Sequence, residues 1–357
     1  MQNIKSVSLI LDDGTVFRGK SFGYEKATAG EVVFNTAMVG YPESLTDPSY
    51  SGQILVITFP LVGNYGVPPR SFNNDNLSTF YESEKIHVEG VIISDYSFEY
   101  SHWNATRSLA DWLKEEKIPG IFGIDTRELT KRLRENGSMK GKIVFDNDDE
   151  IDFIDPNMEN QVAKVSCKDI IIYERGRKRI VLVDCGVKHN IIRCLLKRDV
   201  TVVRVPWDYD FNMLSYDGLF ISNGPGNPDL CNATVENIRK AMKEDKPIFG
   251  ICMGNQLLAK ASGASTYKLK YGHRSHNQPV RMIGTDRCFI TSQNHGFAVD
   301  NSTLSDEWEP LFINMNDGTN EGIRHKAKPW FSAQFHPEAA SGPTDTEFLF
   351  DEFVNML

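Results

Sequence analysis

The sequence predicts an α/β protein in two parts. An N-terminal α+β domain covers residues 1–145, a linker covers 146–176, and a doubly wound, mainly parallel-sheet domain covers 177–357. Three observations carry this. Beyond residue 177, short apolar runs alternate with helix-forming stretches in the βαβ rhythm of a parallel sheet. Before residue 146, strand-like runs and helices follow no such order. Between them, residues 146–155 hold six acidic side chains (146, 148, 149, 150, 152 and 155), followed by a polar stretch at 156–169. That composition shift reads as a solvated linker.

In the first part, residues 7–11 and 15–19 alternate apolar and polar side chains on either side of Asp13-Gly14, a hairpin signal. Further strands are expected at 31–34, 54–59 and 88–93. A helix at 106–117 places Leu109, Trp112 and Leu113 on one face. A second, at 126–135, has Asp125 as N-cap, Glu128 three residues on and Gly137 as terminator. In the second part, strands at 179–184, 200–205, 218–222 and 248–251 alternate with helices at 190–197, 235–243 and 256–261. Functional residues then belong at the C-terminal strand ends. The runs 267–269, 280–283, 288–291, 311–314, 322–325 and 330–334 read as antiparallel additions, and 348–357 as a closing helix.

At 357 residues the chain is long enough for two sizeable cores. A net charge of −9 and a pI near 5.5 argue against nucleic acid as a partner. No stretch approaches the length of a membrane-spanning helix. The N-terminus runs directly into the Asp12-Asp13-Gly14 turn and reads as a first strand rather than a signal peptide. The six cysteines (167, 185, 194, 231, 252, 288) show no CxxC pair and no zinc spacing. No metal is expected, and reduced thiols in the cytoplasm are the simplest account.

Cys252 stands where the apolar run at 248–251 gives way to the helix-forming stretch at 256–261, flanked by Gly250 and Gly254. A residue at such a strand-to-helix corner is pushed out of the sheet to a helix N-terminus, where backbone N–H groups favour a thiolate. A nucleophile needs a base, and the base an orienting group. His336 follows the apolar strand at 330–335, with Glu338 two residues on and so on the same side of an extended chain. His295 competes as base but has no carboxylate at i+2. The turn Ser222-Asn223-Gly224-Pro225-Gly226, directly after a predicted strand, lets the backbone approach a ligand; with Pro225 lacking an N–H, any donor is Gly224 or Gly226. Residues 292–297, Ser-Gln-Asn-His-Gly-Phe, form a polar loop after strand 288–291 that could bind a small polar substrate.

The blocks GICMGNQ, SNGPGNP, QNHGFAVD and QFHPEA, in that order from about residue 179 onward, resemble the class I (triad) glutamine amidotransferases. The resemblance implies a class I glutamine amidotransferase domain in which Cys252 attacks the side-chain amide of glutamine. His336, oriented by Glu338, protonates the departing ammonia, and water hydrolyses the γ-glutamyl thioester. It also implies that Met253 N–H and a glycine amide of the 224–226 turn hold the oxyanion, while Gln256, Asn294, Gly296 and Phe297 position L-glutamine. Asn255 departs from the histidine usual at its position, and its effect on substrate positioning is left open.

The runs GEVVFNTAMVGYPE (30–43), TDPSYSGQ (46–53) and GIFGIDTRELT (120–130) look like the small subunit of carbamoyl-phosphate synthetase. That resemblance implies that Ser49 also reaches the glutamine, and that the ammonia goes to a large synthetase subunit. No Walker-type phosphate loop is present, so no cofactor is expected in this chain; ATP and Mg²⁺ belong on the large partner. The locally basic segment 267–277 is a candidate partner face or simply a solvated strand. The alternatives are a glutaminase subunit of another biosynthetic amidotransferase, a stand-alone thiol amidohydrolase, and a subunit whose glutaminase site is inactive. Whether the product serves arginine or pyrimidine synthesis is open.

Overall fold

Val7, Leu9 and Leu11 are buried along strand Ser6–Leu11, as the alternation predicts, and the sheet they begin closes on itself. The computed structural model describes residues 4–146 and 150–357. Asp148 and Asp149 of the acidic run therefore lie outside the described residues. The chain divides into two compact units between Glu159 and Asn160.

The first unit is a closed barrel of seven strands in the order Ser6–Leu11, Val16–Ser21, Gly120–Phe122, Gly90–Ile92, Gln53–Ile57, Thr28–Asn35 and Met139–Phe145. The hairpin through Gly14 forms as expected, with Gly14 at φ +85°. So does the helix Thr126–Asn136, where Asp125 accepts the Glu128 N–H at 2.9 Å. Two barrel strands escape the sequence reading. Gly120–Phe122 is only three residues long, and Met139–Phe145 places lysines and a glycine among its apolar residues. Gly141 has a structural reason: a Cβ there would lie 2.4 Å from Val32 Cγ2, so closure of the barrel needs the missing side chain. Leu45, Tyr50, Leu55, Val91, Leu109, Trp112 and Leu113 form the core outside the barrel.

The second unit carries a ten-stranded sheet. Its parallel part runs Thr201–Pro206, Arg179–Asp184, Gly218–Ile221, Ile248–Ile251 and Trp330–Ala333. Beyond it, Asn320–His325, Trp308–Asn314, Thr266–Met282 and Cys288–Val299 add antiparallel strands. Trp330–Ala333, expected among the antiparallel additions, instead pairs in parallel with Ile248–Ile251 and completes the parallel part. Chain order does not reveal this, because the strand returns to the sheet centre only after four antiparallel strands have been laid outside it. Within the segment read as linker, Gln161–Val165 is helical and Ile171–Tyr173 pairs with Thr201–Pro206, so residues 160–176 are part of this unit.

Candidate active site

Four neighbouring parallel strands end at one edge, and each delivers part of a polar cluster. Asp184, the last residue of Arg179–Asp184, accepts the N–H groups of Gly186 and Val187 at 2.9 and 2.8 Å. The tight turn brings Lys188 back over the edge, with its N–H on Asn223 Oδ1 at 3.1 Å. Asn223 belongs to the turn after Gly218–Ile221 that contains Gly224 and Gly226. A Cβ on Gly224 would lie 2.1 Å from the Cys185 carbonyl, and Gly226 holds φ +82°. This turn therefore requires glycine for close packing at one position and for handedness at the other.

Cys252 follows Ile248–Ile251 as N-cap of helix Met253–Ala261, at φ +54° and ψ −102°. A positive φ on a non-glycine residue is a strained backbone, of the kind found where a strand must turn sharply into a helix. The corner is held by Cys252 N–H on the Ala333 carbonyl at 2.8 Å. Both flanking glycines are needed for space. A Cβ on Gly250 would lie 2.5 Å from the Gly254 carbonyl oxygen, and one on Gly254 would lie 2.2 Å from that of Ile221. Met253, as the first residue of the helix, has an N–H without an intrahelical partner.

Strand Trp330–Ala333 ends before His336, which sits with Glu338 in a turn closed by Ala339 N–H on the His336 carbonyl at 3.3 Å. The expected pairing of imidazole and carboxylate is present, although a turn, not extended chain, makes it. His336 Nδ1 lies 2.7 Å from Glu338 Oε1, and both side chains are buried. The same oxygen accepts Lys188 Nζ at 2.9 Å. Burial alone would lower the His336 pKa. The Glu338 charge, helped by the ring N–H donated to that carboxylate and by the nearby Cys252 side chain, outweighs burial and the opposing Lys188 charge, holding it up at about 10. Burial would raise Glu338, yet Lys188 and His336 hold it down at about 2. His336 Nε2 makes no hydrogen bond in standard geometry among the described residues. The Cys252 thiol is near enough to favour the protonated ring. An imidazolium beside a cysteine is a setting that supports a thiolate nucleophile.

Lys188 is the residue that sequence reasoning missed: it lies 150 positions from Glu338, and no spacing rule links them. His295, the rival base, is engaged elsewhere, with Nδ1 on the Phe297 carbonyl at 2.8 Å and Nε2 facing Gln293 Oε1 at 3.3 Å.

The stretch 292–297 is not a loop after a short strand. It continues the strand Cys288–Val299, paired irregularly with Thr266–Met282. Its Asn294 carbonyl lies 3.6 Å from Cys252 Sγ, and its Phe297 carbonyl accepts Gln256 Nε2 at 3.1 Å. Gly296 lies between these two, with Arg274 Nη2 3.4 Å from where a Cβ would be. In the basic segment, residues 272–275 are buried and only part of the remainder is exposed. Asn255 is fully buried in helix Met253–Ala261. It donates to Gln334 Oε1 at 2.9 Å and accepts Ser332 Oγ at 2.8 Å, tying the nucleophile helix to the strand that leads to His336. Ser49 lies in the first unit, buried in the short turn Pro48–Tyr50, with its N–H on Asp47 Oδ1 at 2.9 Å.

Comparison with known proteins adds two family matches. Residues 181–356 match "Glutamine amidotransferase class-I" and residues 9–143 match "Carbamoyl-phosphate synthase small chain, CPSase domain". Among similar curated proteins, "Multifunctional protein pyr1-3" of Dictyostelium discoideum is 52% identical over 99% of this chain and 17% of its own length. "Multifunctional protein CAD" of Squalus acanthias is 53% identical over 97% of this chain and 16% of its own. "Carbamoyl-phosphate synthase [ammonia], mitochondrial" of Homo sapiens is 49% identical over 99% of this chain and 24% of its own. The chain thus spans less than a quarter of the length of these relatives.

Proposed function

Since the chain belongs, through its two units, to the carbamoyl-phosphate synthase small-chain and class I glutamine amidotransferase families, we propose that it hydrolyses glutamine and passes the ammonia to carbamoyl-phosphate synthesis. The observation that carries this reading is the buried arrangement of Cys252, His336 and Glu338 at one strand edge. In the proposed reaction the Cys252 thiolate attacks the side-chain carbonyl carbon of glutamine. Met253 N–H and a glycine N–H of the 224–226 turn receive the oxyanion; Ile221 pairs with Gly250, so both turns leave adjacent strand ends. His336 gives its proton to the leaving nitrogen, the C–N bond breaks, and a γ-glutamyl thioester and ammonia result. His336, now neutral, takes a proton from water, which attacks the thioester and releases glutamate and the thiolate.

Gln256, Asn294, Gly296 and Phe297 would position glutamine, and we extend this role to Ser49. Ser49→Ala is expected to raise KM for glutamine while leaving the chemistry in place. The synthetase chemistry, with its ATP and Mg²⁺, is assigned to domains outside these two families, on a second chain or elsewhere on one polypeptide as in the multifunctional relatives.

Glutamate release from glutamine tests the reading. The parent chain should turn over slowly, and Cys252→Ala should lose at least about a thousandfold in kcat. Undiminished release by Cys252→Ala would refute the mechanism. A second reading is favoured by the 49% identity to a relative named for ammonia: the unit is kept for assembly, without glutamine hydrolysis. A folded parent chain that releases no glutamate, even with its synthetase, would establish that reading instead.

A further inference from the structure

The antiparallel strands of the second unit bury a cluster of polar groups that is short of protons. His273, His295 and Glu321 are 8%, 4% and 0% exposed. Each offers one ligand atom within 4.8 Å of those of the other two. The outer nitrogens of both rings are anchored. His273 Nε2 lies 2.8 Å from Asp317 Oδ2, and His295 Nδ1 lies 2.8 Å from the Phe297 carbonyl. Each outer nitrogen therefore carries the donated proton. The inner nitrogens turn toward acceptors: His273 Nδ1 toward Glu321 Oε1 at 3.3 Å, and His295 Nε2 toward the same oxygen at 3.7 Å and Gln293 Oε1 at 3.3 Å.

One amide serves this crowd. Asn314 Nδ2 stands 3.3 Å from Glu321 Oε1, 3.4 Å from His273 Nδ1 and 3.5 Å from both Gln293 Oε1 and Gln278 Oε1. Gln278 Oε1 also accepts Asn316 Nδ2 at 3.0 Å, and two hydrogens cannot satisfy the other three acceptors. Glu321 Oε2 is buried with no hydrogen-bond partner among the described residues. Acceptors facing acceptors in a dry interior are unfavourable, so a positive centre belongs here.

That centre is either a set of extra protons or a cation, and the outer partners favour the cation. A carboxylate on one imidazole and a backbone carbonyl on the other are the supports that orient metal-ligating histidines. Two imidazole nitrogens and one carboxylate oxygen suit zinc better than calcium or magnesium. Zinc bonds of about 2.0–2.1 Å place tetrahedral ligand atoms roughly 3.4 Å apart, close to the 3.3 and 3.7 Å from Glu321 to the two rings, whose nitrogens lie within 4.8 Å of one another. We propose that His273, His295 and Glu321 form a structural zinc site, with the Gln293 side-chain oxygen, 3.3 Å from His295 Nε2, as the acceptor that would complete it.

The site would brace the strand segment that presents the Asn294 carbonyl to Cys252, since His273 pairs with His295 and Arg274 with Asn294. No sequence spacing announces the site, because its ligands come from three different strands.

The test uses the full chain as Cys252→Ser, so that the thiol–imidazole pair does not itself take metal. The protein is stripped with chelator and titrated with Co²⁺, then Zn²⁺, with circular dichroism as a check of folding. The expected result is one equivalent of metal and tetrahedral cobalt absorption without a thiolate charge-transfer band. Glu321→Gln should bind at least about 100-fold more weakly, and Asp317→Asn, which changes only the outer support, on the order of 10- to 100-fold more weakly. Absence of stoichiometric uptake by the folded chain overturns the proposal. So does a thiolate band, or uptake that is equally tight in the Glu321→Gln variant.

Discussion

Lys188 places a positive charge on a carboxylate that already serves a histidine, and the consequence is a matter of pH. His336 is held at about 10 against an ordinary 6.5, so its charged form stabilises the fold fully below 6.5 and that contribution disappears as pH rises through 10. Glu338 is held at about 2 against 4.5, so its contribution is complete above 4.5 and disappears as pH falls through 2. The pair should therefore stabilise the second unit most between about pH 4.5 and 6.5. Urea unfolding of the parent against Glu338→Gln across that range checks the shape. The same variant should lose roughly 10³–10⁴-fold in kcat for glutamine, as an uncharged orienting group does in other triads. Lys188 lowers His336 as well as Glu338. In Lys188→Met the alkaline limb of the kcat/KM profile should move to higher pH. A profile unchanged from the parent would show that the lysine has no electrostatic part in the site. Cys252, His336 and Glu338 were legible from residue type and local order. Lys188 was not, because only the fold brings it to Glu338.

At the level of elements, the strand-to-helix corner is specified by volume. The Cβ that Gly254→Ala introduces meets the Ile221 backbone oxygen at 2.2 Å, and that oxygen belongs to a paired central strand that cannot yield. The substitution should cost at least about 1–3 kcal/mol in urea unfolding and displace the thiol. Asn255→Ala removes two buried hydrogen bonds beneath the same helix, to Ser332 and Gln334. It should cost about 1–3 kcal/mol while leaving most of kcat for glutamine in the folded protein. Loss of kcat equal to that of Cys252→Ala would place Asn255 in the chemistry instead. The βαβ rhythm made the parallel strands legible as far as Ile248–Ile251. It failed at Trp330–Ala333 because a strand's neighbours depend on where the chain returns, not on its own pattern. In Met139–Phe145, the glycine that lets the barrel close is also the residue that weakens the strand signal.

For the whole molecule, two units with separate cores were evident from the change of pattern near the acidic run, and family matches cover both. No helix among the described residues is long and apolar enough to cross a membrane. If the ammonia is meant for a synthetase, hydrolysis should be coupled to it. Adding the synthetase with ATP and bicarbonate is expected to raise glutamate release at least about tenfold, equivalent to 1.4 kcal/mol of barrier. Indifference to the synthetase would favour an independent amidohydrolase.

The closed barrel of the first unit has a further consequence. Every strand in it has a neighbour on both sides, so among the described residues the barrel has no terminal strand, although Val16–Ser21 meets Gly120–Phe122 only at Lys20 and Ser21. The sheet of the second unit does end, at Ile171–Tyr173 on one side and Cys288–Val299 on the other. Amide exchange should therefore be slow in the barrel strands paired on both sides, such as Thr28–Asn35 and Gln53–Ile57, and fastest, among the paired strands of the second unit, in the exposed three-residue strand Ile171–Tyr173.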